Sequence, residues 1–252
     1  MWSHYFQCAE IHAWDINDPA FHPKFNESGA KFTRVDQLNL TTMDEAAFRI
    51  AEGAPNNHIF DLVVDDGKHS TVSMWNTFVA TWPYLKNRGI YIAEDLHGCL
   101  FSKEFNLDGD KWGWCDQPEG QPTMFQLLRM FNASQGVAVA EKFNLPRLET
   151  WRRFAEDVES ITFHSKGYRC DLWPAKIRRH CQSYKCYLRS NGLSKERCHS
   201  TTAVIIKKAT AVPAGPIDLH AMWAADKERS GFGMSAISTS TPEGGKGEAR
   251  NR

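Results

Sequence analysis

Net charge is the first thing this sequence lacks. Lys and Arg number 30, Asp and Glu number 30, and they cancel. No basic stripe interleaved with aromatics stands out, so nothing is concentrated enough to neutralise a nucleic-acid backbone. Long apolar runs are missing too. None approaches the roughly 18 residues that a membrane-spanning helix requires. The opening residues "MWSHYFQCAEIHAW" have neither a basic leader nor a continuous apolar stretch, and so do not read as a secretory signal. Without one, the sequons at Asn26, Asn39 and Asn132 carry no meaning. A disulfide framework is equally absent. The 7 cysteines, Cys8, Cys99, Cys115, Cys170, Cys181, Cys186 and Cys198, are odd in number and scattered. That pattern argues for reduced thiols in a cytoplasmic setting. The spacings from Cys170 to Cys198 contain no CxxC knuckle, so free thiols are expected there rather than structural zinc. Glycine is scarce at the front, where the first is Gly29.

What is present is an alternation of strand and helix. "EIHAWDI" (10–16) and "KFTRVDQ" (31–37) read as strands, and residues 2–8 as the end of a helix. Thr42 with Glu45 forms a capping box that predicts a helix over 42–53. "HIFDLVVDD" (58–66) and "GIYIAED" (89–95) are apolar enough to be buried strands. Between them Val72, Trp75, Phe78, Val79 and Trp82 fall at helical spacing over 70–85. This is the pattern of a parallel α/β sheet. Further helices are predicted near 122–133 and 146–157, with a late strand pair at 160–165 and 202–209. One domain over 1–210 is expected. Within it, the Gly- and Trp-rich segment 96–122 reads as a lid, and the basic, cysteine-rich segment 166–200 as an insertion. From Val212 onward, the 211–252 region reads as a disordered tail. Trp112 and Trp114 suit either a stacking surface for a sugar or a small core within the lid.

Every early strand ends in acids or amides: Asp15, then Asp36 with Gln37, then Asp65 with Asp66, then Glu94 with Asp95. In open α/β sheets that edge is where ligands bind. "FDLVVDDGKHS" (60–70) poses the question most sharply. An Asp-Asp-Gly is a good turn, and a strand-end acid often does no more than cap the next helix. If the strands ending at Asp66 and Glu94 are neighbours, however, several carboxylates converge. Carboxylates that close repel unless a cation lies among them. An oxygen-only set suits Mg²⁺, and His69 beside it suits a general base at neutral pH.

"FDLVVDDGKH…YLKNRGIYIAEDL" resembles the macrocin and mycinamicin type of sugar O-methyltransferase, whose pattern runs FDxxxDDGSH and then LxxGGxYxxED. The interval from His69 to Glu94 matches that spacing. The likeness covers about residues 2–97, with weaker echoes at 146–165 and 202–207. Lys68, where Ser is usual, and Asn87-Arg88 before Gly89 depart from it. The resemblance implies a Rossmann-like class I methyltransferase sheet with helices on both faces. It implies S-adenosylmethionine and Mg²⁺ as cofactors, and a small hydroxylated, sugar-like substrate. It further implies that Asp15 holds the cofactor ribose, that Asp36 and Gln37 lie near the adenine, and that Asp65 lies beside the methionine end. Asp66, Glu94 and Asp95 would bind Mg²⁺, and His69 would take the substrate proton.

The resemblance also implies a first strand and a Gly-rich loop ahead of these residues, between the strands that end at Asp15 and Asp65. Neither is seen, so the expectation is a sheet lacking strand 1, with weak cofactor binding. Either its neighbours pair directly or two open edges are left. Besides Mg-assisted O-methylation, two other functions fit the sequence: an inactive, methyltransferase-like interaction module, and a metal-dependent hydroxylase or hydrolase.

Overall fold

The computed structural model describes residues 5–17, 29–52, 59–96, 116, 120–168 and 198–209, with backbone alone at 165–168 and 198–200. Trp112, Trp114, most of the cysteine-rich segment and the proposed tail lie outside the described residues. Strand β1 (His12–Asp15) is followed by β2 (Lys31–Arg34), helix α1 (Leu40–Ala51), β3 (Phe60–Asp65) and α2 (Thr71–Thr81). A 3₁₀ turn (Trp82–Tyr84) leads into β4 (Leu85–Ala93). Then come α3 (Met124–Asn132), α4 (Gly136–Lys142), α5 (Leu148–Asp157), β5 (Val158–Tyr168) and β6 (Cys198–Lys207). Among the described residues, no helix is long and apolar enough to cross a membrane.

The architecture is α/β, but its sheet is parallel only in part. β1 pairs with β2 and β3 with β4 in parallel, whereas β6 inserts between β4 and β5 and runs antiparallel to both. The predicted insertion is thus flanked by longer strands, paired out to Tyr168 and Cys198. β1 and β3 share no ladder, so the described strands form a two-stranded and a four-stranded sheet.

Local chemistry moves several predicted boundaries. α1 begins at Leu40, because Asn39 rather than Thr42 caps it, accepting from the Thr41 and Thr42 amides. Thr42 instead donates its hydroxyl to the Asp36 and Asn39 carbonyls. The helix predicted over 70–85 tightens to 3₁₀ at Trp82, since Pro83 has no N–H to continue the α ladder. β4 then starts at Leu85, and its register jumps between Phe60↔Leu85 and Leu62↔Ile90, so the predicted start at Gly89 lies just past the irregularity. α4 has no strong apolar period and is not anticipated from the sequence.

One face of the larger sheet carries the core. Tyr91 and Ala93 of β4, Ala203 and Ile205 of β6, and Ile161 of β5 are alternate residues, so they share a face. They pack against α2, α3 and α5. Phe78 is the hub. Its ring stacks on Trp82 at 5.3 Å and on Trp151 at 4.9 Å, and meets Phe154 edge-on. Each such buried ring contributes roughly 1.5–3 kcal/mol by area, with about 0.5–1.5 kcal/mol more per ring pair. Two charges are buried beside this core. Arg147 pairs with Asp44 of α1. Lys207 donates to the Trp82 and Leu85 carbonyls at 3.4 and 3.0 Å, above the Trp82 ring.

The two sheets are joined by side chains. Trp14 meets Phe60 edge-on at 6.2 Å. Gln37, just past β2, reaches further. Its amide nitrogen donates to Asp65 Oδ1 at 3.0 Å and to Thr77 Oγ1 at 2.9 Å, while its Oε1 accepts from the Lys68 amide at 2.9 Å. Asn76 in turn donates to the Gln37 carbonyl. The Gln37 amide fills the space in front of Gly67 so closely that a Cβ there would lie 2.2 Å from its Oε1. A side chain at position 67 would therefore have to displace the hydrogen-bonded Gln37 amide.

Two outcomes follow. Gly67→Ala will lower stability by about 1–3 kcal/mol in urea unfolding, and less in a Gln37→Ala background, where the clash is gone. Burial holds the Lys207 ammonium below its ordinary value, against the pull of Asp157. A depressed lysine means the unfolded chain binds the proton more tightly, so this group makes stability rise with pH through the window below 10.5. Lys207→Met will flatten that rise relative to the wild type when unfolding is followed at successive pH values.

Candidate active site

The β3–β4 ladder builds the site. Parallel register sets Asp65 opposite Ala93, and the Glu94 amide continues the ladder to the Asp65 carbonyl at 3.0 Å. The next residues, Asp66 and Glu94 with Asp95, therefore emerge side by side at the C-terminal edge. The turn Gly67-Lys68-His69 then folds back into α2. His69 sits in the left-handed region at φ 56, and Asp95 at φ 49. Non-glycine residues hold that conformation at a cost of about 1 kcal/mol or more. Here it aims both side chains at one point. His69 Nε2 lies 3.7 Å from Asp66 Oδ1 and 3.8 Å from Asp95 Oδ2. The ring is largely covered, with 20 % of its side chain exposed, against 62 % for Asp66. Its Nδ1 is buried without a hydrogen-bond partner among the described residues.

The electrostatics agree with the crowding. The Glu94 carboxyl is pushed up from its ordinary value, first by burial and then by the Asp66 and Asp95 charges, with His69 opposing. Asp66, Asp95 and His69 thus stand at one strand edge, with Glu94 near enough to feel their charges. Their oxygens have the hard, anionic character that Mg²⁺ takes. Among the described residues, no three such side chains already stand close enough to hold an ion, so a cation would have to draw them in.

The residues expected around the cofactor divide. Asp65 is buried and turned inward, accepting from Gln37 and from the Tyr91 hydroxyl at 3.2 Å, and burial raises its pKa. Gln37 spends its amide on Asp65, Thr77 and Lys68. Neither presents those atoms to a ligand. Asp15 is exposed at the end of β1 and accepts from the Asn17 amide at 2.8 Å. Asp36 accepts from the Leu38 amide at 2.9 Å. Each closes its own turn beyond a strand of the smaller sheet. Sequence reasoning missed Tyr91, Thr77 and Asp116. Tyr91 had a usable signal, since it alternates with Ala93 on the face that meets the helices. Asp116 had none, standing in a stretch without periodicity.

No family model matches the chain. Among curated proteins it is 31% identical over 97 residues to an L-olivosyl-oleandolide 3-O-methyltransferase of Streptomyces antibioticus, covering 38% of this chain and 22% of that one. It is 32% identical over 98 residues to a demethylmacrocin O-methyltransferase of Streptomyces fradiae, with the same coverage of each. A mycinamicin VI 2''-O-methyltransferase of Micromonospora griseorubida is 28% identical over 96 residues. Among solved structures, the MycE methyltransferase in complex with Mg, SAH and mycinamycin VI aligns over 84% of this chain and 41% of its own, at 17% identity and a TM-score of 0.45. The chain spans about a fifth of the length of these curated relatives, and over that span it is similar to O-methyltransferases.

Proposed function

We propose that this chain carries the acceptor side of an S-adenosylmethionine-dependent, Mg²⁺-assisted O-methyltransferase site that acts on a hydroxyl of a small, sugar-like molecule. The observation that carries the reading is the convergence of Asp66 and Asp95 on His69 Nε2, with Glu94 pushed up beside them. The curated relatives, each named as an O-methyltransferase, support it. A sugar hydroxyl is a poor nucleophile, and a base at Nε2 is placed to take its proton as its oxygen attacks the methyl carbon. Asp66, Glu94 and Asp95 would hold Mg²⁺, relieving their mutual repulsion. Bound there, the cation would acidify the substrate hydroxyl and orient it, and the sulfonium cofactor would supply the methyl group. After transfer His69 holds the proton, stabilised by the neighbouring carboxylates.

Asp15 and Asp36 are the residues best placed to meet the adenosine half, Asp15 at the ribose. Gln37 and Asp65, bonded to each other, would back that pocket and fix its shape. The exposed thiol of Cys8 is in keeping with a reducing, cytoplasmic setting. One observation favours a second reading, a methyltransferase-like interaction module without turnover: the strands ending at Asp15 and Asp65 share no ladder, which leaves the cofactor side less built than the acceptor side.

Calorimetry with S-adenosylmethionine and Mg²⁺, together with transfer of labelled methyl to a sugar acceptor, separates the two. Methyl transfer is expected, and His69→Ala should cut it by about 10²-fold or more while leaving cofactor affinity within about twofold. Absence of cofactor binding would favour the interaction module, and a fully active His69→Ala protein would remove His69 from the base role.

A further inference from the structure

Among the described residues, the ring of His69 has no hydrogen bond that would hold it. Nδ1 is buried without a partner among the described residues, and Nε2 stands at 3.7 and 3.8 Å from its carboxylates. Its placement is therefore set by its backbone, which is held in an uncommon left-handed conformation at φ 56. That conformation persists only if both neighbours are fixed. On one side the Lys68 amide donates to Gln37 Oε1 at 2.9 Å. On the other side Ser70 is the N-cap of α2, is 0% exposed, and accepts from the Ser73 amide.

One cap satisfies only part of a helix start, since the first turn leaves several amides without intrahelical partners. Here a second group completes it from far away in sequence. The Val72 amide donates to Asp116 Oδ1 at 2.8 Å, and the Ser70 hydroxyl donates to Asp116 Oδ2 at 2.6 Å, across 46 residues. The carboxylate also opposes the positive end of the helix. Both oxygens are committed to residues of the helix start that follows His69, Ser70 and Val72.

We propose that Asp116 is a positioning residue: by clamping Ser70 and Val72 at the start of α2, it fixes the left-handed turn that aims His69 at Asp66 and Asp95. This rests on His69 as the general base, but it is testable without turnover. In the wild type, hydrogen exchange at the Val72 amide should be as slow as at Met74, whose amide is bonded within the helix to the Ser70 carbonyl. Asp116→Ala should speed exchange at Val72 by roughly tenfold or more while Phe78 stays protected. In protein labelled at histidine, the His69 ring resonances should shift or broaden in Asp116→Ala and return to wild-type positions in Asp116→Asn, which keeps the shape. If transfer is observed, kcat should fall in Asp116→Ala with the cofactor KM unchanged. Absence of transfer in the wild type would sink the methyltransferase reading alone, because the exchange and ring signals would still decide the role of Asp116. His69 signals that superimpose in wild type and a folded Asp116→Ala protein would overturn the proposal. So would fast Val72 exchange in the wild type, which decides the matter even if the alanine variant does not fold.

Discussion

The carboxylates of Asp66, Glu94 and Asp95 repel one another, and the β3–β4 ladder holds them together regardless. A parallel pair with Asp65 set opposite Ala93 leaves the following residues no other place to go. Glu94 shows the repulsion in part: its carboxyl is pushed up first by burial and then by the charges of Asp66 and Asp95. Carboxylates perturbed by burial and by one another mark a candidate functional site. His69 Nε2 stands nearly 4 Å from two of these carboxylates, beyond hydrogen-bond reach. An arrangement short of positive charge is one that a divalent ion would complete.

The acids project outward because the layer beneath them is rigid. Asp65 points the other way from Asp66, as successive strand residues must, and is locked by Gln37 and Tyr91. Gln37 belongs to the smaller sheet, so the same amide that holds Asp65 also ties together two sheets that share no ladder. Behind it Thr77 joins α2 to the network, and the aromatic stack around Phe78 anchors α2 to the core. The cluster of acids and His69 thus stands on a continuous path of packing. Asp15 and Asp36, by contrast, lie at and just beyond the ends of two strands that, among the described residues, pair with each other alone.

The acid and histidine set was legible in the sequence because its determinants are local. An apolar run ending in Asp65-Asp66, a glycine turn, and a second apolar run ending in Glu94-Asp95 need only neighbouring strands to meet. What the sequence did not disclose depends on distant partners. Nothing in residues 198–207 says that they insert between β4 and β5 and not at an edge. Asp65 and Gln37 each looked like a ligand-facing residue, and only their pairing across 28 positions shows them turned to one another. The cap of α1 was misplaced because Asn39 and Thr42 are both good caps, and the bond of Thr42 to the Asp36 carbonyl decides between them. Asp116 acts on a helix 44 to 46 residues away, which no local pattern signals.

The central claim is that the crowded acids form a divalent-cation site beside a base. Titration with Mn²⁺, followed by electron paramagnetic resonance and competed with Mg²⁺, tests it most directly, with and without the sulfonium cofactor. The account predicts one bound ion displaced by Mg²⁺, and affinity weakened by about tenfold or more in Asp66→Asn and in Glu94→Gln. Wild-type protein that takes up no Mn²⁺ under either condition, or variants that bind it equally well, would contradict it.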